Sequence, residues 1–278
     1  MEALIKKADI LMEALPYIKQ FSGKTFVIKY GGKAMVDGSL KDSVIEDIVL
    51  MKYIGINPVV VHGGGPEITE EMNKLGKKSI FKNGLRVTDK ETVDIAEKVL
   101  VGKINKEIVS LVHKHGGKAI GLSGKDGDLI VAKKHKADIG FVGEVEKINF
   151  HVMDKLKEFI PVISPIAIGR DGHTYNVNAD DVASAIATAI KAEKLILLTD
   201  VNGVLDKDKK LISSININEA SKLEKSGIIS GGMIPKVNSC VEAVKQGVKK
   251  VHIINGGIKH SMLLEIFTKT GVGTEFSE

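Results

Sequence analysis

The sequence predicts an α/β fold, a three-layer αβα sandwich with a mainly parallel central sheet. Several short runs are predominantly apolar, which is typical of strands buried on both faces; they lie at 25–30, 57–62, 159–164 and 194–201. Segments with helical periodicity separate these runs. Glycines follow several of the predicted strands, as tight turns from strand to helix require.

Helix-start and helix-stop residues divide this alternation into elements. Ser39 is a predicted cap, and Thr88 with Glu91 forms a capping-box pattern that begins a long helix. Pro66 suits the first turn of the helix between them. In chain order, the predicted elements are a strand at 25–30, a helix at 39–55, a strand at 57–62, helices at 66–76 and 88–115, a strand at 118–124, a hairpin at 129–133 and 139–146, a strand at 159–164, a helix at 180–191, a strand at 194–201, helices at 218–226 and 233–247, a strand at 249–255 and a helix at 260–268.

The residues before the first strand form a further predicted helix. Its apolar residues recur at a spacing that suits packing of one helix against another, namely Leu4, Ala8, Leu11, Leu15 and Ile18. The alternative is a helix folded back onto its own core. Gly169–Gly172 is the predicted boundary between two lobes, so the expected units are an N-terminal helix at 1–22, an N-lobe at 23–171 and a C-lobe at 172–278.

Composition argues against several classes of function. Aromatic residues make up only 4% of the chain and tryptophan is absent, so stacking platforms for nucleic acid are not expected. The formal charge of +5 comes from lysines interspersed with acids, which is typical of a solvated surface. The single cysteine, Cys240, fits a reducing cytoplasm. We expect a cytoplasmic protein without a signal peptide, a membrane span or a metal held by side chains.

Glycine-rich turns follow three predicted strands, at Gly31-Gly32, Gly63–Gly65 and Gly121–Gly124. In parallel sheets, ligands bind outside the carboxyl ends of the strands. Glycine lets backbone N–H groups approach an anion closely, so three such turns on one sheet edge favour a phosphate site. Each turn alone is also explained by tight strand-to-helix geometry. The sequence has neither a P-loop motif nor a dinucleotide-binding glycine motif.

A few polar residues stand beside these turns. Arg86 is one of two arginines in a chain that otherwise uses lysine, which favours a role for its bidentate fork, although a surface salt bridge remains the alternative. Lys29 lies near the end of a buried strand, and Lys236 follows the pair Gly231-Gly232. The segment "NVNAD" at 176–180 fits either a ligand site or a simple helix cap. Asp200 fits either a loop at the edge of a nucleotide site or a simple turn.

Seven motifs occur in order across residues 28–237: "IKYGG", "VHGGGPEI", "NGLRVTD", "GLSGKDGDLI", "NVNAD", "LTDVNGVL" and "GGMIPKV". This ordered set resembles the amino acid kinase family, and within it the branch that phosphorylates N-acetyl-L-glutamate in arginine biosynthesis. The resemblance covers nearly the whole chain. Two departures are small: Glu67 stands where glutamine is more usual, and an arginine expected near Gly257 is missing.

The resemblance implies transfer of the γ-phosphoryl group of ATP, with Mg²⁺, to the side-chain carboxylate of N-acetyl-L-glutamate. Lys29 and Lys236 would flank the transferring group as catalytic residues, and Asp180 would hold the two lysines. The implied amino-acid-binding residues are Gly64, Gly65, Arg86 and Asn176. The implied phosphate- and nucleotide-binding residues are Gly31, Gly32, Asp200, Gly231 and Gly232.

The N-terminal helix resembles that of arginine-inhibited members of the family, in which such helices join dimers into a hexamer. The resemblance implies an inhibitory L-arginine site between this helix and the C-terminal segment, with Tyr17, Glu265, Gly271 and Gly273 as contacts. It leaves open whether a nitrogen-signalling regulator binds. Two alternatives also stay open: a related kinase that acts on a carrier-linked aminoadipate or glutamate, and a non-catalytic nucleotide-sensing module.

Overall fold

The computed structural model describes the backbone of residues 1–278 and their side chains, except those of Ala3, Lys6, Lys7 and Asp154. The strands are β1 (Thr25–Tyr30), β2 (Asn57–His62), β3 (Phe81–Lys82), β4 (Leu85–Arg86), β5 (Ala119–Ser123), β6 (Ile130–Lys134), β7 (Val142–Ile148), β8 (Ile160–Ser164), β9 (Ile166–Gly169), β10 (Thr174–Val177), β11 (Lys194–Thr199), β12 (Ser214–Asn216), β13 (Lys250–Asn255) and β14 (Thr274–Ser277). The helices are α1 (Glu2–Phe21), α2 (Gly38–Tyr53), α3 (Gly65–Lys74), α4 (Lys90–Glu97), α5 (Asn105–Lys114), α6 (His151–Asp154), α7 (Ala179–Ala189), α8 (Ile217–Lys225), α9 (Met233–Lys245) and α10 (Ser261–Ile266).

An eight-stranded sheet runs through the molecule in the order β12-β14-β13-β11-β1-β2-β8-β5. Its strands are parallel except where β14 runs antiparallel to β13. The mainly parallel sheet of the predicted sandwich is therefore confirmed. β1 lies between β2 and β11, so the loops that follow these three strands leave from adjacent positions on one edge.

Helices cover both faces of this sheet because alternate residues of the buried strands point to opposite sides. Val27 belongs to one hydrophobic cluster, whereas its neighbours Phe26 and Ile28 belong to the other. In β11, Leu195 and Leu197 face the first cluster and Ile196 faces the second. This double burial explains why the strands read as continuous apolar runs.

A small closed barrel, in the order β10-β7-β6-β9, adjoins the sheet. The predicted hairpin is its antiparallel β6–β7 pair. β9 and β10 pair antiparallel across a turn that contains Gly169–Gly172. The predicted lobe boundary thus falls in the turn of a β-hairpin rather than in a linker. The large sheet also takes strands from both sides of that boundary.

Two helix caps differ from the sequence prediction. Asp37, not Ser39, caps α2, because its carboxylate accepts from the N–H groups of both Ser39 and Leu40. Asp89, not Thr88, caps α4 by accepting from Thr92 N, while the Thr88 hydroxyl donates to the Arg86 carbonyl. Aspartate competes well for both positions because a charged acceptor binds helix N–H groups more strongly than a hydroxyl does.

A π-helical segment, Lys98–Ile104, joins α4 to α5. The predicted helix from 88 to 115 is therefore continuous but carries a wider turn in its middle. Segments of this kind are rare and are frequent at functional sites. This one presents Leu100 and Ile104 to the loop after β2, where a Cβ atom at Gly64 would collide with both side chains.

The N-terminal helix α1 contacts the rest of the chain at its C-terminal end. Phe21 is buried and packs edge-on against Phe26, and Tyr17 packs edge-on against Phe267. Towards the N-terminus, large apolar side chains are exposed, such as Leu4 at 64% and Leu11 at 73%. The stripe of α1 therefore does not fold back onto its own core. Among the described residues, no helix is both long and apolar enough to cross a membrane.

Candidate active site

Two cavities meet at the edge of the sheet where β1 and β2 end. The first, of about 200 Å³, is lined by Lys29, Met35, Val36, Pro66, Glu67, Asn178, Ala179 and the glycines Gly31, Gly32, Gly63, Gly64 and Gly65. The second, of about 170 Å³, shares Gly63–Gly65, Asn178 and Ala179 with the first and continues towards Arg86 and Asn176. Two of the predicted glycine turns thus reach this site: Gly63–Gly65 forms a wall that both cavities share, and Gly31-Gly32 lines the first cavity.

Lys29, Lys236 and Asp180 come together beside the first cavity. Asp180 Oδ1 lies 3.0 Å from Lys29 Nζ, and Asp180 Oδ2 lies 3.5 Å from Lys236 Nζ. Burial raises the pKa of Asp180, but the charges of the two lysines outweigh this effect and lower the pKa below its ordinary value. The carboxylate is therefore ionised at neutral pH and holds two ammonium groups near one another.

Local structure explains how each of the three groups is held. Lys29 is in β1, with register partners on both sides of the strand. Asp180 lies in the first turn of α7, behind the Asn178 cap, whose side chain accepts from Asp180 N. Lys236 is the fourth residue of α9, which begins directly after Gly231 and Gly232. The contact between α7 and α9 brings the last two groups to the end of β1.

The turn after β1 is held by Asp200. Its carboxylate accepts from Lys33 N at 2.7 Å, although the two residues are far apart in sequence. Gly32 has a φ of 70°, a conformation that favours glycine. A Cβ atom at this position would also lie 2.5 Å from Asp200 Oδ1. In this structure Asp200 therefore orders the turn at Gly31-Gly32, a role that the sequence did not indicate.

Arg86 forms part of the wall of the second cavity and is mostly buried. Its guanidinium group donates to Ser79 Oγ at 2.5 Å, and to the Gly65 carbonyl and Thr69 Oγ1 at 2.8 Å each. The carbon Cζ also lies 4.7 Å from the centre of the Phe81 ring. The fork is thus held at the cavity wall by several partners, which fixes its direction before any ligand arrives.

The third glycine turn does not reach the cavities. Gly124 N donates to the Ile166 carbonyl at 2.7 Å, and a Cβ atom at Gly124 would collide with that carbonyl and with the Ile130 side chain. This turn therefore serves close packing between the sheet and the barrel. The prediction that all three glycine turns share one anion site is wrong for Gly121–Gly124.

The residues proposed for arginine binding lie away from both cavities. Glu265 is buried; Oε1 is 2.7 Å from His252 Nδ1, and Oε2 accepts from Val272 N and Gly273 N. Gly271 packs directly against the same carboxylate. Tyr17 approaches this segment through Phe267. The structure thus brings the four predicted contacts, Tyr17, Glu265, Gly271 and Gly273, to one side of the molecule.

Several cavity-lining residues have no clear signal in the sequence. Leu100 and Val142 line the second cavity, but they read as ordinary core residues. Phe81 precedes the Asn83-Gly84 turn, whose positive φ angles of 52° and 79° give the short β3–β4 hairpin. That Asn-Gly pair was a usable hairpin signal. The position of Leu100 depends on the π-helical segment, which periodicity does not reveal.

Comparison with known proteins agrees with this geometry. The sequence model of the amino acid kinase family matches residues 24–255. The chain belongs to the amino acid kinase family. Among curated amino acid kinases, the acetylglutamate kinase of Caldanaerobacter subterraneus subsp. tengcongensis is 59% identical over 277 residues, which cover 97% of this chain and 93% of the relative. The acetylglutamate kinase of Caldicellulosiruptor bescii is 56% identical over 285 residues, and the match covers 99% of this chain and 97% of the relative.

Solved structures show the amino acid kinase fold as well. The N-acetylglutamate synthase of Neisseria gonorrhoeae, complexed with coenzyme A and N-acetyl-glutamate, superposes with a TM-score of 0.86 at 25% identity. The match covers 98% of this chain but 63% of the synthase chain. Carbamate kinase from Giardia lamblia, bound to AMP-PNP, superposes with a TM-score of 0.65 at 15% identity. The match covers 92% of this chain and 98% of the carbamate kinase chain, and it supports the fold alone.

Proposed function

We propose that this protein transfers the γ-phosphoryl group of ATP to the side-chain carboxylate of N-acetyl-L-glutamate, which gives N-acetyl-L-glutamyl 5-phosphate and ADP. The observation that carries the proposal is the pair Lys29 and Lys236, held by Asp180 beside two joined cavities. The curated relatives are acetylglutamate kinases and cover nearly the whole chain. The product would enter arginine biosynthesis in the cytoplasm.

The chemistry requires two anions to meet, a carboxylate and a phosphoryl group. Catalysis is then mainly a matter of positioning and of neutralising charge. Lys29 and Lys236 supply two positive charges, and Asp180 pairs with both of them. Because all three groups are fixed before binding, little reorganisation is needed in the transition state.

The second cavity is the proposed site for the amino acid. Arg86 and Asn176 line it together with Gly64 and Gly65. The positive charge of Arg86, whose terminal N–H groups already donate to protein acceptors, would attract the α-carboxylate. The glycine N–H groups would bind the reacting carboxylate. The cavity volume of about 170 Å³ suits a small amino-acid group.

The first cavity and the turn before α9 are the proposed phosphate site. Gly31, Gly32, Gly231 and Gly232 carry no Cβ atoms there, so backbone N–H groups lie open to an anion. Mg²⁺, when bound with the nucleotide, would offset the negative charge of its phosphates. On this proposal the N-lobe holds the amino acid and the C-lobe holds ATP.

We extend the proposal to regulation. Exposed apolar residues along α1 would pack against α1 of another subunit and join dimers into a hexamer. L-Arginine would bind near Tyr17 and Glu265 and inhibit the enzyme. A related structure supports this ligand class: the N-acetylglutamate synthase of Neisseria gonorrhoeae, complexed with coenzyme A and L-arginine, has a TM-score of 0.82 and covers 97% of this chain and 65% of its own.

A hydroxylamine trap tests the substrate. Acyl phosphates react with hydroxylamine to give hydroxamates, so protein, ATP, Mg²⁺ and hydroxylamine are incubated with N-acetyl-L-glutamate or with L-glutamate. We expect a hydroxamate only with N-acetyl-L-glutamate. A hydroxamate with L-glutamate instead would assign a different member of the family. Absence of product with either amino acid would favour a nucleotide-sensing module.

A further inference from the structure

His62 and Asn105 form a buried polar pair that the proposed chemistry does not use. His62 ends β2, Asn105 begins α5, and both side chains are inaccessible to solvent. His62 Nδ1 lies 2.8 Å from the Gly63 carbonyl oxygen, and Nε2 lies 3.3 Å from Asn105 Nδ2. Because a carbonyl oxygen can only accept, the proton is on Nδ1, and Nε2 accepts from the Asn105 amide. Burial lowers the pKa of His62 to about 4, so the ring is neutral at neutral pH.

This hydrogen bond fixes a peptide group in the wall between the two cavities. In a planar trans peptide, the carbonyl of one residue and the N–H of the next point in opposite directions. Holding the Gly63 carbonyl therefore sets the direction of the Gly64 N–H group. Gly63 N is itself tied to the Tyr30 carbonyl at 2.8 Å. Within the described part of the chain, the Gly64 N–H group donates to no protein acceptor and is free for a ligand.

Asn105 anchors His62 to the sheet. Its amide nitrogen donates to the Val162 carbonyl in β8 at 2.8 Å and lies 3.3 Å from the Leu122 carbonyl in β5. Gly121 leaves room for it, because a Cβ atom there would collide with Asn105 Oδ1. The asparagine follows the π-helical segment directly, so the same segment that packs on Gly64 also places Asn105.

We propose that His62 is a positioning residue for phosphoryl transfer: it holds the Gly63 carbonyl so that the Gly64 N–H group points at the reacting oxygens. The inference rests on the proposed function, in which the Gly64 N–H group binds the reacting carboxylate of the amino acid. His62 does not contact the substrate. It acts through one peptide group, and its loss should change kcat more than KM.

Two variants separate positioning from folding. His62→Asn keeps an N–H donor at the δ position for the Gly63 carbonyl, whereas His62→Gln moves the amide one bond further towards Asn105. We expect His62→Gln to lower kcat about 10²-fold with little change in either KM, and His62→Asn to keep most of kcat. Each variant loses one hydrogen bond of the ring, so their melting temperatures should be similar. Equal kcat values, or losses of activity that follow the melting temperature, would overturn the proposal.

A second measurement needs no variant and no activity. The ¹⁵N chemical shifts of the wild-type imidazole report which nitrogen carries the proton. We expect His62 to be the Nδ1–H tautomer at neutral pH, and an Nε2–H tautomer would refute the inference. Wild-type protein without turnover of N-acetyl-L-glutamate would instead refute the proposed function. The two failures are therefore distinguishable.

Discussion

Asp180 pairs with both Lys29 and Lys236 and so holds the two lysines in one site. Two ammonium groups repel each other, and a single ionised carboxylate within 3.0 Å and 3.5 Å of them offsets that repulsion. The contribution of each lysine then depends on the other two groups. Substitutions among the three should therefore be strongly non-additive.

Lys236→Ala should lower turnover about 10²-fold or more, because one preorganised charge is lost where negative charge moves in the transition state. Lys245→Ala, at the exposed end of the same helix, is the matched control and should keep wild-type turnover. Steady-state kinetics with N-acetyl-L-glutamate and ATP measure both. Turnover near the wild-type value in Lys236→Ala would remove Lys236 from the mechanism.

Arg86→Lys should chiefly raise the KM for the amino acid and leave the KM for ATP nearly unchanged. Lysine keeps the charge but cannot reproduce the contacts to Ser79, Gly65 and Thr69 that hold the fork. The control is Arg170→Lys, because Arg170 is the other arginine of the chain and pairs with Glu146 on the surface. A rise in the KM for ATP alone would place Arg86 in the phosphate site.

Much of this site was predictable because strand ends are predictable. The apolar runs located β1, β2 and β11, and parallel strands deliver their carboxyl ends to one edge. Lys29 and the first two glycine turns follow from that rule. The ion pairs of Asp180 with the lysines do not follow from the strand-end rule, because they depend on how α7 packs against α9. The hydrogen bonds of Arg86 to the protein do not follow from it either, because they depend on the position of α3.

At the scale of elements, the long strands were easier to predict than the barrel. β9 and β10 have four residues each, too few to show a convincing period. The parallel pairing of β10 with β7 joins segments that are distant in sequence, which no local pattern encodes. The predicted bounds of the helices were close to the observed ones. The two cap predictions were wrong because in each case an aspartate lies next to, or two residues from, the hydroxyl residue that was predicted as the cap.

The contact between α2 and α10 should make stability depend on pH. Asp47 on α2 is 1% exposed, and its Oδ1 lies 2.6 Å from Nδ1 of His260, the residue before α10. Burial raises the pKa of Asp47 from 3.8 to about 6, although the His260 hydrogen bond opposes this. Between these values the folded state binds more protons than the unfolded state, so the free energy of unfolding should fall as pH rises through this window.

Asp47→Asn removes this titration and should flatten the pH dependence of stability. Urea unfolding of the wild type and the variant across the window from pH 3.8 to about 6 measures the effect. Glu219→Gln is the control, because Glu219 is an exposed acid on α8 that does not contribute to the pKa shift of Asp47, and it should leave the dependence intact. An Asp47→Asn protein with the wild-type slope would contradict the account of this contact.

At the scale of the whole molecule, α1 should control assembly and inhibition. Deleting residues 1–20 keeps the buried Phe21 and should give a dimer that is active but poorly inhibited by L-arginine. Leu11→Asp, at a position that is 73% exposed, should also weaken the hexamer, and the exposed control Glu13→Gln should not. Sedimentation and arginine titration test this. A full-length dimer that ignores millimolar arginine would refute it.

The most direct test of the central claim is to follow the phosphorus atoms themselves. In ³¹P NMR of protein, Mg²⁺, ATP and N-acetyl-L-glutamate, we expect the γ-phosphoryl signal of ATP to decline while ADP and an acyl phosphate appear together. Omitting the amino acid should stop the reaction. ATP that stays intact with the amino acid present, or ADP that appears with inorganic phosphate alone, would contradict the claim.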